Sequence, residues 1–176
     1  MNADRPRIAV IGYGSLLQPS ALRSFSESAA KRAVPVRVDG LCRIFNQQTS
    51  WRSDDETACA VANAVRDDDA WLNGIVIPDI RRAEFRKFRE RERWYRLIEV
   101  PIDDVAPYDG DDRSRIEDHE LIVTTTGMKT DPNIEPIPSY VAACLDGAAT
   151  WGETVREEFV ATTRTNSGDP LTAFLE

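Results

Sequence analysis

The sequence predicts an α+β fold: a mixed, mostly antiparallel sheet, closed or nearly closed as a small barrel, with flanking helices. Three observations lead there. Short β-branched or alternating runs are separated by glycine, proline or acidic turns. Helical stretches fall among them without a clean βαβ repeat. The length, 176 residues, suits one domain with one sizeable core. The expected domain is residues 1–176, with 165–176 as a C-terminal tail.

The elements follow in order. Residues 7–13 read as a buried strand, because Ile8, Val10 and Ile11 precede two glycines. Pro19 opens a helix at its first turn, and the next dozen residues contain no further Gly or Pro. Val34 to Val38 alternates as a strand; Gly40 breaks it, and Leu41 to Gln47 continues as another. Ala58 to Val65 and Trp71 to Ile77 read as two more, divided by an acidic turn, Asp67-Asp68-Asp69. Pro78-Asp79 starts a charged helix through about Arg91. Strand character resumes over Tyr95 to Ile102, and residues 103–115 form an acidic loop. Glu120 to Thr126 is a strand. Gly127 to Pro138 carries three prolines and reads as a long loop able to border a site. Ser139 caps a helix through about Ala149, and Gly152 to Arg164 forms another.

Composition narrows the function. At 41% hydrophobic and 30% charged residues, the chain is globular in type. A net charge of −8 argues against nucleic acid as a partner, since phosphate binding needs clustered Lys and Arg. No run of about 18 apolar residues exists, so no membrane helix is expected. The N-terminus lacks a basic flank and apolar core, so the expected compartment is the cytoplasm. Cys42, Cys59 and Cys144 contain no C-x-x-C pair and read as buried thiols. The one histidine, His119, sits in a polar stretch, which weakens a His-based triad or metal cluster without excluding either.

The run Val10 to Leu17, VIGYGSLL, invites three familiar motifs. A dinucleotide fingerprint fails, because Leu17 stands at the third glycine position. A P-loop fails for want of a lysine, and a nucleophile elbow fails around Ser15. What remains is physical. Glycines let a ligand approach the backbone, and successive N–H groups can cradle a carboxylate. Such a turn becomes a site only with a chemical partner.

The helix FRKFRERERWY offers one. At 100° per residue, Phe85, Phe88 and Glu92 fall in one sector, whereas Glu84 and Glu90 fall away from it. Glu92 therefore points toward the face the phenylalanines bury. A partly desolvated carboxylate tends toward a raised pKa and can take a proton and return it. The plainer alternative is a helix-end Glu paired with Arg89 or Arg96.

Together and in this order, the segments resemble the γ-glutamylcyclotransferase-like superfamily, which includes the ChaC and AIG2-like branches. Tyr13-Gly14-Ser15-Leu16 matches its opening YGS turn. Gly40-Leu41-Cys42-Arg43-Ile44-Phe45 is similar to its Gly-aromatic-x-Arg-x-Phe segment, and Gly74-Ile75-Val76 to its G-x-(V/I) strand. Phe88-Arg89-Glu90-Arg91-Glu92-Arg93 looks like its Leu-Asp-x-x-Glu-Gly segment, followed by a tyrosine strand at Tyr95. Pro138-Ser139-Tyr140, Gly147-Ala148 and Gly152 resemble its late helix. Phe88-Arg89 stands where the family has Leu-Asp, and Arg93 where it has Gly; these departures bear on substrate fit more than on fold.

The resemblance implies a reaction: cyclisation of a small-molecule γ-glutamyl amine or peptide, such as glutathione, to 5-oxoproline with release of the amine. It implies Glu92 as general acid and base, Tyr13, Gly14, Ser15, Leu16, Tyr95 and Tyr140 as substrate-binding residues, and a reaction that needs no metal or organic cofactor. Two alternatives stay open: a non-catalytic carboxylate-binding module with Glu92 held by arginine, and removal of a γ-glutamyl protecting group in a biosynthetic pathway.

Overall fold

A computed structural model of the chain describes residues 5–49 and 59–176. Strand β1 (Ile8–Gly12) runs through the middle of the protein, and Ala9, Val10 and Ile11 are almost wholly buried. A single 3-10 turn at Ser15–Leu17 follows, then helices α1 (Pro19–Phe25) and α2 (Glu27–Arg32). The one helix expected after Pro19 is thus two. Ser26 divides them, because its hydroxyl accepts from the Ala29 N–H at 3.1 Å and starts α2 as an N-cap.

Strands β2 (Val34–Thr49) and β3 (Cys59–Ile77) form one long antiparallel hairpin. The sequence divides each into two strands; the structure keeps each continuous. Between the pairs Asp39↔Trp71 and Leu41↔Arg66, β2 contributes only Gly40, at φ +80°, while β3 contributes residues 67–70. The acidic stretch is therefore an excursion within a strand, absorbed by glycine's left-handed backbone. Ala58, the expected first residue here, lies outside the described residues.

Helix α3 (Arg82–Arg91) begins four residues later than Pro78 predicts. Asp79 sits at φ +50°, and its N–H donates to His119 Nε2 at 2.9 Å while Arg7 grips its carboxylate at 2.8 Å. His119 is buried, and Nδ1 lies 3.0 Å from the Ile116 carbonyl, so the one imidazole ties a turn together. Strands β4 (Tyr95–Glu99), β5 (Val105–Pro107) and β6 (Leu121–Gly127) follow. Helix α4 (Pro138–Ala149) starts with Pro138 at its first position, so Ser139 lies inside the helix rather than capping it. Helix α5 (Glu153–Thr162), strand β7 (Thr163–Arg164) and helix α6 (Leu171–Leu175) complete the chain, with Leu171 fully buried.

The seven-stranded sheet has the order β4-β6-β1-β3-β2-β5, with β7 beside β2. β1–β6 and β2–β7 are parallel, and the other pairs are antiparallel. The sheet is not closed into a barrel, contrary to the expectation. It curls far enough for the segment after β6 to touch β2, where the Gln48 N–H donates to Lys129 O at 2.7 Å. Among the described residues this segment forms isolated bridges alone, Gln47↔Thr130 with β2 and Ala60↔Pro136 with β3. Pro132, Pro136 and Pro138 lack the N–H donors that a ladder needs.

Two buried charges hold the layers. Arg43, fully buried on β2, donates to Asn73 O and Oδ1 on β3 and to Thr163 Oγ1, with its guanidinium 3.6 Å from the Phe159 ring centroid. Burial pulls its pKa down to about 9. Glu84, read from the helical wheel as lying away from the buried face, is in fact 6% exposed. It accepts from Arg32 at 2.7 Å, from Ser26 Oγ at 2.7 Å and from the Arg81 N–H at 2.9 Å. A second face of α3 is thus covered, by α2.

Desolvation raises the Glu84 pKa, but those donors outweigh it and leave the carboxyl below its ordinary 4.5. The sign follows. A depressed carboxylate stabilises the fold above its unfolded pKa, and that stability is lost as pH falls through the folded value. Glu84→Gln is expected to lower the urea midpoint at pH 7. The gap to wild type should narrow as pH drops below about 4.3. A gap that stays constant from pH 7 to pH 3 would remove this role.

Among the described residues, no helix is long and apolar enough to cross a membrane. The three cysteines are buried thiols, none of them in a disulfide.

Candidate active site

The site begins where β1 ends. Gly12 packs directly against the next turn: a Cβ there would lie 2.8 Å from Leu16 Cβ. Gly74 on β3 lies closer still, since a Cβ on it would meet the Gly12 carbonyl oxygen at 2.4 Å. Two glycines thus let main chain press on main chain, and the path of Tyr13-Gly14-Ser15 is set by that contact. The turn closes with the Leu17 N–H donating to Gly14 O at 3.0 Å.

Helix α4 docks on the same turn. Gly147 is the contact, for a Cβ there would meet Gln18 N at 2.8 Å. Trp151 Nε1–H donates to Leu17 O at 2.7 Å. This docking carries Tyr140 to Gly14: a Cβ on Gly14 would sit 3.1 Å from the Tyr140 hydroxyl and 3.0 Å from Ala62 Cβ.

Helix α3 approaches from the other side. Phe88 is 1% exposed, and Glu92, the residue that caps α3, donates its N–H to Phe88 O at 2.9 Å. The Glu92 side chain is 16% exposed. Among the described residues it pairs with Arg91, whose Nε lies 3.8 Å from Oε1, rather than with Arg89 or Arg96. Arg91 Nη2 also donates to Ser15 Oγ at 2.8 Å. One guanidinium therefore joins the end of α3 to the turn after β1.

Seven residues singled out in the sequence line one cavity: Tyr13, Gly14, Ser15, Leu16, Glu92, Tyr95 and Tyr140. The cavity is narrow, about 40 Å³, room for a few waters or a carboxylate. It opens into a basin of about 280 Å³ that shares Ser15, Glu92, Tyr95 and Tyr140 with it.

The tyrosines differ in what they offer. Tyr13 is 5% exposed, and its hydroxyl donates to Thr125 O at 2.8 Å. Burial, reinforced by the nearby Glu92, pushes its pKa up, so this phenol stays protonated. It brings ring and backbone to the cavity. Tyr95 and Tyr140 converge on one peptide residue: Tyr95 Oη–H donates to Ala62 O at 2.7 Å, and the Ala62 N–H donates to Tyr140 Oη at 3.1 Å.

Sequence reasoning missed Ala62, Thr125 and the bridging role of Arg91. Ala62 acts through main-chain atoms, and Thr125 through its carbonyl and a hydroxyl that donates to Tyr13 Oη at 3.3 Å, contacts that no side-chain motif reports. Arg91 is hidden in an arginine-rich run. Arg43, though part of a family-like segment, lies outside this cavity and outside the basin. Among the described residues, no three His, Cys, Asp or Glu side chains cluster as metal ligands would.

No family model matches the chain, and neither does any curated protein. Solved structures do. A gamma-glutamyl cyclotransferase aligns with a TM-score of 0.63 and 16% identity, over 89% of this chain and 88% of its own. An uncharacterised protein from Homo sapiens aligns at 0.65 and 17% identity, over 90% and 89%. A gamma-glutamyl cyclotransferase specific to glutathione, from yeast, aligns at 0.52 and 16% identity, over 94% and 82%. At such identities the likeness is one of fold, and the fold is that of the γ-glutamyl cyclotransferases.

Proposed function

We propose that this chain, having the γ-glutamyl cyclotransferase fold, cyclises a γ-glutamyl amine or peptide to 5-oxoproline and releases the free amine. The observation that carries the reading is the shared cavity: a largely buried carboxylate, Glu92, faces the glycine turn at residues 13–16.

The substrate's α-carboxylate sits against the backbone of Gly14, Ser15 and Leu16, and its side chain folds toward Glu92. Glu92 takes one proton from the α-ammonium. The freed amine attacks the γ-carbonyl of the same molecule and closes a five-membered ring. The ring nitrogen then sheds a second proton, the bond from the γ-carbon to the departing nitrogen breaks, and both protons pass by way of Glu92 to that nitrogen, which leaves as an ammonium. No water is consumed and no net proton is exchanged. One carboxylate therefore suffices for both transfers.

Because the attack is intramolecular, the protein's main task is to hold a folded conformer. Fixing such geometry is worth about 7–11 kcal/mol relative to a bimolecular encounter. The tyrosine pair anchored on Ala62 supplies a rigid wall for that conformer, and a turn amide or a tyrosine hydroxyl is the candidate donor to the developing oxyanion.

The experiment is incubation with glutathione, γ-glutamyl dipeptides and γ-glutamyl-ε-lysine, with 5-oxoproline detected by mass. Its appearance above the uncatalysed rate is expected; its absence with every γ-glutamyl compound would discard the assignment. A second reading, a carboxylate-binding module, draws on the Arg91–Glu92 contact at 3.8 Å. Saturable binding without turnover is its signature.

A further inference from the structure

The basin outside the catalytic cavity has its own chemistry. Its wall includes Arg91 and Arg93, with Glu90 and Glu92 as the acidic members. Glu92 is committed to proton transfer in the proposed reaction. Trp94 also lines the basin, and Lys129 Nζ lies 4.0 Å from its ring centroid. The charges lining the basin balance, two Arg against two Glu, but the segment that carries them is basic: residues 81–96 hold eight Lys and Arg against three Glu, in a chain of net −8.

A second observation points to a ligand there. Thr49 lines the basin, is 7% exposed, and its Oγ1 has no hydrogen-bond partner among the described residues. Buried hydroxyls without partners are uncommon and costly. The neighbouring Gln47 is already engaged: Oε1 accepts from the Lys129 N–H at 3.1 Å, and Nε2 donates to Gln48 O at 3.3 Å.

We infer that Arg93, Arg91 and the Thr49 hydroxyl form a subsite for a carboxylate carried by the departing amine. The inference rests on the proposed cyclisation. With the glutamyl part in the inner cavity, the amine portion extends into the basin, where two guanidiniums offer charge-assisted donors and Thr49 a neutral one. Arg91 already spends one donor on Ser15, so Arg93 is the discriminating residue. It stands where the resembling family has glycine. A γ-glutamyl amino acid or peptide fits this wall, whereas a γ-glutamyl diamine places a cation against it.

Three matched substrates test the idea: γ-glutamyl-alanine, γ-glutamyl-alaninamide and γ-glutamyl-1,3-diaminopropane. In wild type, kcat/KM is expected to favour the carboxylate over the amide by about tenfold, mostly through KM, with the diamine slowest. Arg93→Gln should shrink that preference several-fold, and Arg93→Lys should restore much of it. Arg93 is exposed, so folding is not at stake. High salt should narrow the preference in wild type. Equal rates for the three substrates, or a preference that Arg93→Gln leaves intact, would overturn the subsite alone. Absence of 5-oxoproline from all three would overturn the cyclisation and the subsite together.

Discussion

Glu92→Gln is expected to lower the rate of 5-oxoproline formation by roughly 10²–10⁴-fold while leaving the fold intact. Glutamine has the same shape and keeps the backbone bond from residue 92 to Phe88 O at 2.9 Å, so the end of α3 is preserved. It cannot take a proton from an ammonium. The Arg91 bond to Ser15 does not involve Glu92, so the turn stays tied to the helix. Circular dichroism and the thermal midpoint should therefore match wild type, and the whole loss should fall on turnover. Full activity in the variant would remove Glu92 from the chemistry, whatever cavity it lines.

Gly74→Ala carries the second large effect, and it acts on stability and turnover at once. The new methyl would lie 2.4 Å from the Gly12 carbonyl oxygen and 3.4 Å from Tyr13 Cα. Both are main-chain atoms at the centre of the sheet, where β1 is held by β3 on one side and β6 on the other. Nothing flexible can yield. Overpacking of this kind costs about 1–3 kcal/mol. For a chain of this size, each kcal/mol lowers the thermal midpoint by about 2–4 °C. The strand must also shift at Gly12 and Tyr13, where the candidate carboxylate cradle begins. A displacement of about 1 Å in such a site can cost about 100-fold in rate. Thermal unfolding and a 5-oxoproline assay on one preparation check both effects. If neither moves, the close approach of Gly74 does not set the turn.

These glycines also show how much of the molecule was readable in advance. Gly12, Gly14, Gly74 and Gly147 each mark a place where backbone or a side-chain tip comes too near for a methyl group, and all four surround the same turn. That is why weak glycine segments scattered along the chain pointed to one place. The helical spacing of Phe85, Phe88 and Glu92 was legible because burial follows the 3.6-residue period.

The errors have equally physical causes. Gly40 and the three aspartates after Arg66 look like turn punctuation, yet the β2–β3 ladder continues around them. Ser26 and Ser139 look alike as helix caps, but only Ser26 has the backbone geometry of one. Glu84 fell outside the predicted buried sector because a helical wheel shows one buried face, and α2 supplies a second. Closure of the sheet could not be read at all, since it depends on how far strands curl before prolines interrupt the pairing. Thr49 was invisible for a related reason: what sets it apart is the want of a partner among the described residues.

The double hold on Ala62 has one more implication. Tyr95 and Tyr140 grasp that residue by its carbonyl and its amide, neither of which varies with the side chain. What limits position 62 is bulk, because its Cβ already stands 3.0 Å from where one on Gly14 would be. Evolutionary drift there would be filtered first by size. A wall of the reaction chamber can thus persist through sequence divergence without leaving a recognisable signature letter.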